Sequence, residues 1–346
     1  MGVERRRLTC LAMSLVVLTA CTSERQAARV PAAPPAAVGP VDAAVLRSDD
    51  PYARAVDAAH ARGLEVWLSA DLVRRWLEGP AALRSAVARL RALEARRGVA
   101  GIKIADELGK DDGLRTLDGA NRFLADSAAL IRASMPGARI MIDLYVPQLG
   151  CGPDLDVAAA LREACAAKAQ TRYPSLTLPA VEVMLRSGHV DVLNLSTGLL
   201  EDTTYAAWGL TQQQVQRAAW QTVRARGWDR LVTLFARKAL AHEGSYLGSA
   251  AAARRDLDLF VERPLAGGAR AVDVWTWRQP YRGSVVRLAD PGPAPNELWR
   301  QLVARHDAGQ RLLTHFTPTS TEQGIDQDLD FLAQAFRGVL IAAGTG

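Results

Sequence analysis

The sequence predicts an α/β fold of the (β/α)8 TIM-barrel type, incomplete or irregular at its N-terminal strands. Three observations predict it. From residue 52 onward, short β-branched or aliphatic runs alternate with Ala/Leu/Arg-rich stretches of helical period. Such alternation implies parallel strands joined by helical crossovers. Along each run every second position is polar, whereas an open parallel sheet is covered by helices on both faces and rarely carries mid-strand charges. Finally, the chain holds no G-x-G-x-x-G or Walker loop, the phosphate-binding signatures of open doubly wound sheets.

The runs begin near Leu64, Val99, Ala138, Val190, Arg230 and Arg270, at spacings of 35, 39, 52, 40 and 40 residues. Each follows a glycine, such as Gly63 or Gly98, that suits the left-handed position closing a helix. Helices are expected over 81–96, 121–133, 212–225, 250–261 and 296–310. Residues 41–47 offer a seventh strand, and no eighth is evident. The barrel is therefore expected over 46–310, followed by a C-terminal tail over 311–346 with an amphipathic segment at 328–342.

One parity on each run is polar or aromatic and is expected to face the barrel interior. The set is Glu65, Trp67, Ser69 and Asp71; Lys103 and Glu107; Asp143 and Tyr145; Asn194 and Ser196; Thr233 and Arg237; Asp273, Trp275 and Trp277. Asp106 has the opposite parity and is expected to cap the following turn or to touch a ligand.

The N-terminus reads as an address. Glu4-Arg5-Arg6-Arg7 precedes a short apolar run too brief to span a bilayer, which ends Leu18-Thr19-Ala20-Cys21. This order resembles the lipobox of bacterial lipoproteins. The resemblance implies a signal peptide over 1–21, lipidation of Cys21, and an anchored protein on the extracytoplasmic face of the cell membrane. Residues 22–45, rich in Ala and Pro, read as a semi-rigid tether.

Cys151 and Cys165 remain in what is then an oxidising compartment, where a disulfide is expected. A metal or nucleophilic role is the alternative. Neither has a nearby His, and their spacing is not that of zinc ligands. No cluster has metal-ligand spacing, so no metal and no cofactor are expected. The formal charge is +5, but only four of the 42 basic residues are lysines and no dense basic run lies beyond the leader, so no nucleic-acid partner is expected.

Residues 52–67, Tyr-Ala-Arg-Ala-Val-Asp-Ala-Ala-His-Ala-Arg-Gly-Leu-Glu-Val-Trp, resemble part of a glycoside hydrolase-type barrel. With 271–277 as the last strand, 101–107 falls on the fourth. In the large retaining-glycosidase clan that strand ends in an acid/base Glu, here Asp106-Glu107, and the last strand often presents a Trp to the sugar. The resemblance spans about residues 50–300. It departs where the clan's nucleophile should end the seventh strand: Phe235-Ala-Arg-Lys238 stands there, and Glu243 follows in a loop.

On this reading Glu107 is the general acid and Asp143 or Glu243 the second carboxylate. Trp67, Asp106, Tyr145, Asn194, Arg237, Trp275 and Trp277 would contact a carbohydrate ligand. Buried Lys103 could instead serve as a Schiff-base nucleophile or neutralise neighbouring carboxylates. The expected function is a surface-tethered glycosidase. The alternatives are a catalytically silent barrel that binds carbohydrate or cell-wall material, and a structural or partner-binding envelope lipoprotein.

Overall fold

The computed structural model describes residues 44–155 and 159–345. Eight parallel strands close into a barrel: β1 (Glu65–Ser69), β2 (Gly101–Ala105), β3 (Arg139–Tyr145), β4 (Val192–Ser196), β5 (Thr233–Ala239), β6 (Ala271–Trp275), β7 (Leu312–Phe316) and β8 (Gly338–Ala342). The order around the barrel follows the chain, and β8 pairs with β1 to close it, Glu65 beside Gly338. The predicted fold class is correct, and the barrel is complete.

Its boundaries differ from those expected. The stretch expected to be a tail carries β7 and β8, with the helix Ile325–Leu332 between them. The amphipathic segment is thus the end of that helix, a turn and β8. In 41–47, the described residues 44–47 form no strand. Closure explains the miss: β8 is Gly-Val-Leu-Ile-Ala, apolar throughout, with no polar parity to mark it. The strand count also shifts. Gly101–Ala105 is the second strand rather than the fourth, and Ala271–Trp275 is the sixth rather than the last. The expected signal peptide, Cys21 and nearly all of the tether lie outside the described residues. Among the described residues no helix is long and apolar enough to cross a membrane.

Helices cover the outside close to the expected ranges, for example Pro80–Arg97, Leu117–Ser134 and Gln212–Ala225. The last of these opens on a capping box, Thr211 with Gln214, which satisfies two otherwise unpaired backbone donors. Outward strand residues such as Val66, Leu68, Ile102, Ile140, Leu193 and Val272 are buried against this shell. Full burial of each such side chain is worth about 1.5–3 kcal/mol.

The barrel interior is layered with the period of two that strand geometry imposes. Trp67, Met141, Val192, Phe235, Ala271, Leu313 and Leu340 form one buried apolar layer. Gly101 supplies the missing eighth position; a Cβ there would collide with the Trp67 ring and the Arg139 carbonyl. Below this layer Glu65 is paired with Arg311, and Arg139 donates to Thr233 Oγ1 at 2.8 Å. Two residues further along the strands lies a polar layer: Lys103, Asp143, Asn194, Arg237, Asp273 and His315. A separate three-stranded antiparallel sheet, His242–Glu243, Arg278–Tyr281 and Ser284–Arg287, follows from the loops after β5 and β6. The expected disulfide Cys151–Cys165 is present.

Candidate active site at the barrel mouth

The polar layer sits at the carboxyl ends of the strands, the end where barrel enzymes place their chemistry. Lys103 Nζ lies 3.0 Å from Asp143 Oδ2 and 3.2 Å from Asp106 Oδ1. Arg237 pairs with Asp106 (2.9 Å), Asp143 (3.2 Å) and Glu107 (3.3 Å), and stands 4.0 Å from Asp273. Asn194 Nδ2 donates to both Asp143 Oδ1 (2.8 Å) and Asp273 Oδ2 (2.7 Å). His315 Nε2 donates to Asp273 Oδ2 at 2.9 Å. No described residue partners His315 Nδ1, and Asp273 Oδ1 and Asn194 Oδ1 are buried without a partner.

Asp106 reaches this group because β2 is irregular. Its register against β3 shifts between Lys103 and Ala105. A bulge changes the parity of every later residue, so Asp106 comes round to Lys103, three positions back. Strict alternation had turned it away. Glu107 follows at φ +49°, in the left-handed region that a non-glycine residue occupies at a cost.

The charges do not balance. Asp106, Asp143 and Asp273 face Lys103 and Arg237, so full ionisation leaves one excess negative charge. Burial pushes Asp143 up to about 7 against the pull of Lys103 and Arg237, and Asp106 and Asp273 push the same way. For Asp106 and Asp273 burial also raises the pKa, but it is outweighed. Lys103 and Arg237 hold Asp106 well below the usual carboxylate range, and His315 with Arg237 lowers Asp273. Burial works against the Lys103 ammonium, yet Asp106 and Asp143 outweigh it and keep the amine protonated. That state removes the free amine a Schiff base requires. His315 is lowered, first by burial, although Asp273 opposes the shift.

A cavity of about 320 Å³ opens beside this layer, within the size range of small-molecule sites. Lys103, Asp106 and His315 line it, with Trp275 and Phe316 as aromatic walls and Asp71 and Gln279 among its polar groups.

Several expected site residues lie elsewhere. Trp67 is fully buried in the apolar layer, its Nε1 donating to Glu65 Oε1 at 2.8 Å. Trp277 lies past the end of β6, so barrel parity no longer governs it. It is buried in the helical shell against Trp299 and Phe331 and donates to Asp328. Glu243 is exposed on the antiparallel sheet and accepts from Ser284 Oγ at 2.6 Å, with no link to the polar layer. Tyr145 ends β3 half-buried, edge-on to Tyr173 and under Lys110 Nζ. Burial raises its phenol. Trp275 does reach the cavity.

These positions overturn the glycosidase expectation. Glu107, the expected acid, is tied to Lys110 at 2.5 Å and to Arg237. Asp143 is enclosed by Lys103, Arg237 and Asn194, and Glu243 stands apart on the antiparallel sheet. The three carboxylates expected to flank a glycosidic bond therefore form no free pair at the cavity. The strand count that placed Glu107 on a fourth strand fails as well. No finding favours the sugar-binding or purely structural alternatives.

His315 is the polar-layer residue the sequence reading missed, and it lies on a strand taken for tail. The signal was present: Gly309 closes a helix before Leu-Leu-Thr-His-Phe, the same punctuation that marks β1 and β2. Asp143, Asp273 and His315 also bring potential metal-ligand atoms within 4.8 Å of one another from three strands, a grouping invisible to sequence spacing.

The fold and site define a barrel protein with a buried charged layer beneath an open pocket. No family model matches the chain, and no curated protein matches it. Among the solved structures that it resembles are several of pyruvate carboxylase from Rhizobium etli. The carboxyl transferase domain with pyruvate and biocytin shares 14% identity, with 84% of this chain and 42% of that one covered and a TM-score of 0.42. The Y628A form of the domain with pyruvate gives 13%, 88%, 46% and 0.44. The complete multifunctional enzyme gives 14%, 88%, 25% and 0.40. The chain spans less than half the length of each.

Proposed function

We propose that the protein is an enzyme that abstracts a proton from a small polar carbonyl compound. His315 is the general base, Asp273 orients it, and Lys103 faces the oxygen that becomes negative. One observation carries the reading: the His315 imidazole lines the cavity with Nε2 2.9 Å from buried Asp273 Oδ2 and with Nδ1 unpartnered among the described residues. The Asp273 bond fixes the tautomer and leaves the Nδ1 lone pair as the base.

The steps balance as follows. The carbon-bound proton passes to Nδ1. Its electron pair forms a carbon–carbon double bond, and the carbonyl π pair moves onto oxygen. Lys103 stabilises that oxyanion, and Asp273 stabilises the imidazolium. Return of the proton completes the cycle. A positioned base of this kind contributes about 10²–10⁴-fold.

The test is exchange of carbon-bound hydrogen for deuterium in D2O, followed by proton NMR over a panel of small keto and aldehyde compounds. Exchange of at least one compound that is lost in His315→Gln supports the reading. Exchange of none, or exchange that persists in the variant, refutes it.

A second reading places a divalent cation between Asp143, Asp273 and His315. The unpartnered Asp273 Oδ1 favours it. Lys103 and Arg237 weigh against it, because they already occupy Asp143 and would have to withdraw. Exchange activity that survives EDTA favours the metal-free reading, and activity restored only by a divalent ion favours this one.

We also infer anchoring at Cys21, supported by the basic run, apolar run and Leu-Thr-Ala-Cys order of the leader. An acylated N-terminal peptide beginning at Cys21, absent in Cys21→Ser, is the expected mass-spectrometric result.

A further inference from the structure

At the opposite end of the barrel from His315, a larger cavity of about 710 Å³ lies beside the amino-terminal ends of β3 to β6. Four arginines line it: Arg139, Arg224, Arg230 and Arg270. Arg139 is held in place, donating to Thr233 Oγ1 at 2.8 Å with its guanidinium over the Trp67 ring. Arg224, Arg230 and Arg270 are exposed, and none has an ion-pair or hydrogen-bond partner among the described residues. Two carboxylates share the lining. Asp191 is already engaged by Arg132 and the Ile140 backbone N–H. That leaves Asp229 against four guanidinium groups.

We infer that this cavity binds a phosphate-bearing anion. Guanidinium forks match phosphate oxygens two at a time, and Arg is the side chain best suited to that geometry. Gathering four of them around one concavity with a single free carboxylate leaves a positive potential that an anion relieves. The pocket is larger than the one at the mouth and lies at the far end of the barrel, so the inference stands independently of the proton-transfer reading.

Two sources share this chemistry: a soluble phosphate compound, and the headgroup of an anionic lipid. The test uses the full chain with two probes. Inorganic pyrophosphate is titrated calorimetrically, and vesicles of phosphatidylglycerol in phosphatidylcholine are co-sedimented against phosphatidylcholine alone. Binding of either probe is expected, weakening as NaCl rises. With three arginines removed as Arg224→Gln/Arg230→Gln/Arg270→Gln, binding should fall on the order of 100-fold, about one kcal/mol per charge. The corresponding Arg→Lys triple keeps the charges but loses the forks, so its affinity should fall between those of the parent and the Gln triple. Pyrophosphate binding assigns a soluble ligand; vesicle binding alone assigns a lipid headgroup. If neither probe binds, or the Gln triple binds as the parent does while keeping its melting temperature, the inference is overturned.

Discussion

Lys103 and Asp143 form a 3.0 Å ion pair closed to solvent, 2% and 0% exposed, inside the mouth of the barrel. Breaking a buried pair from one side strands the other charge. The two sides are not equivalent here, because the surrounding layer already holds an excess carboxylate. Lys103→Met is expected to cost about 3–5 kcal/mol. Asp143→Asn removes the excess charge and should cost clearly less. Urea denaturation of the two variants checks this, and equal losses would contradict the charge count.

The pH dependence of stability has a definite sign at His315. Burial lowers its folded pKa below the unfolded value of about 6.5. As pH falls through 6.5 the unfolded chain takes up a proton that the folded chain refuses. Its contribution is therefore full above 6.5 and lost as pH falls toward the folded value. Asp143 has the opposite sign: raised to about 7, it contributes below the unfolded carboxylate value and loses that contribution as pH rises through 7. NMR titration should place the His315 midpoint below 6.5. Asp143→Asn should remove a loss of stability between about pH 4 and 7.

Gly101 makes room for the Trp67 ring inside the barrel. Gly101→Ala drives a methyl group into the Trp67 ring and the Arg139 carbonyl. Overpacking of this kind costs about 1–3 kcal/mol. A thermal melt should show the loss, and Trp67→Phe in the same chain should recover part of it.

The Cys151–Cys165 bridge ties the 3₁₀ turn Pro147–Cys151 to the helix Ala159–Arg172 across a separation of 14 residues. Its loop length predicts about 3 kcal/mol from the restricted unfolded chain. Cys151→Ser/Cys165→Ser should lower the melting temperature under non-reducing conditions and make it insensitive to dithiothreitol.

Much of the site was legible residue by residue. The inward parity named Asp143, Asn194, Arg237 and Asp273 correctly, because alternation is a local property of a strand. Parity failed where the strand itself is irregular or has ended. The bulge in β2 turned Asp106 inward, and the end of β6 released Trp277 to the helical shell. Trp67 has the right parity but lies one layer too deep, and no local pattern encodes depth.

The sequence by itself determined the alternation of strand and helix, the two faces of each strand and the partners of the disulfide. These follow from backbone periodicity and cysteine chemistry, which act over a few residues. Only the tertiary structure decided that β7 and β8 complete the barrel and that His315 meets Asp273. It also showed that four arginines converge at the far end. Closure pairs Glu65 with Gly338. Such pairing depends on register summed around eight strands, and that sum exists only once the barrel has closed.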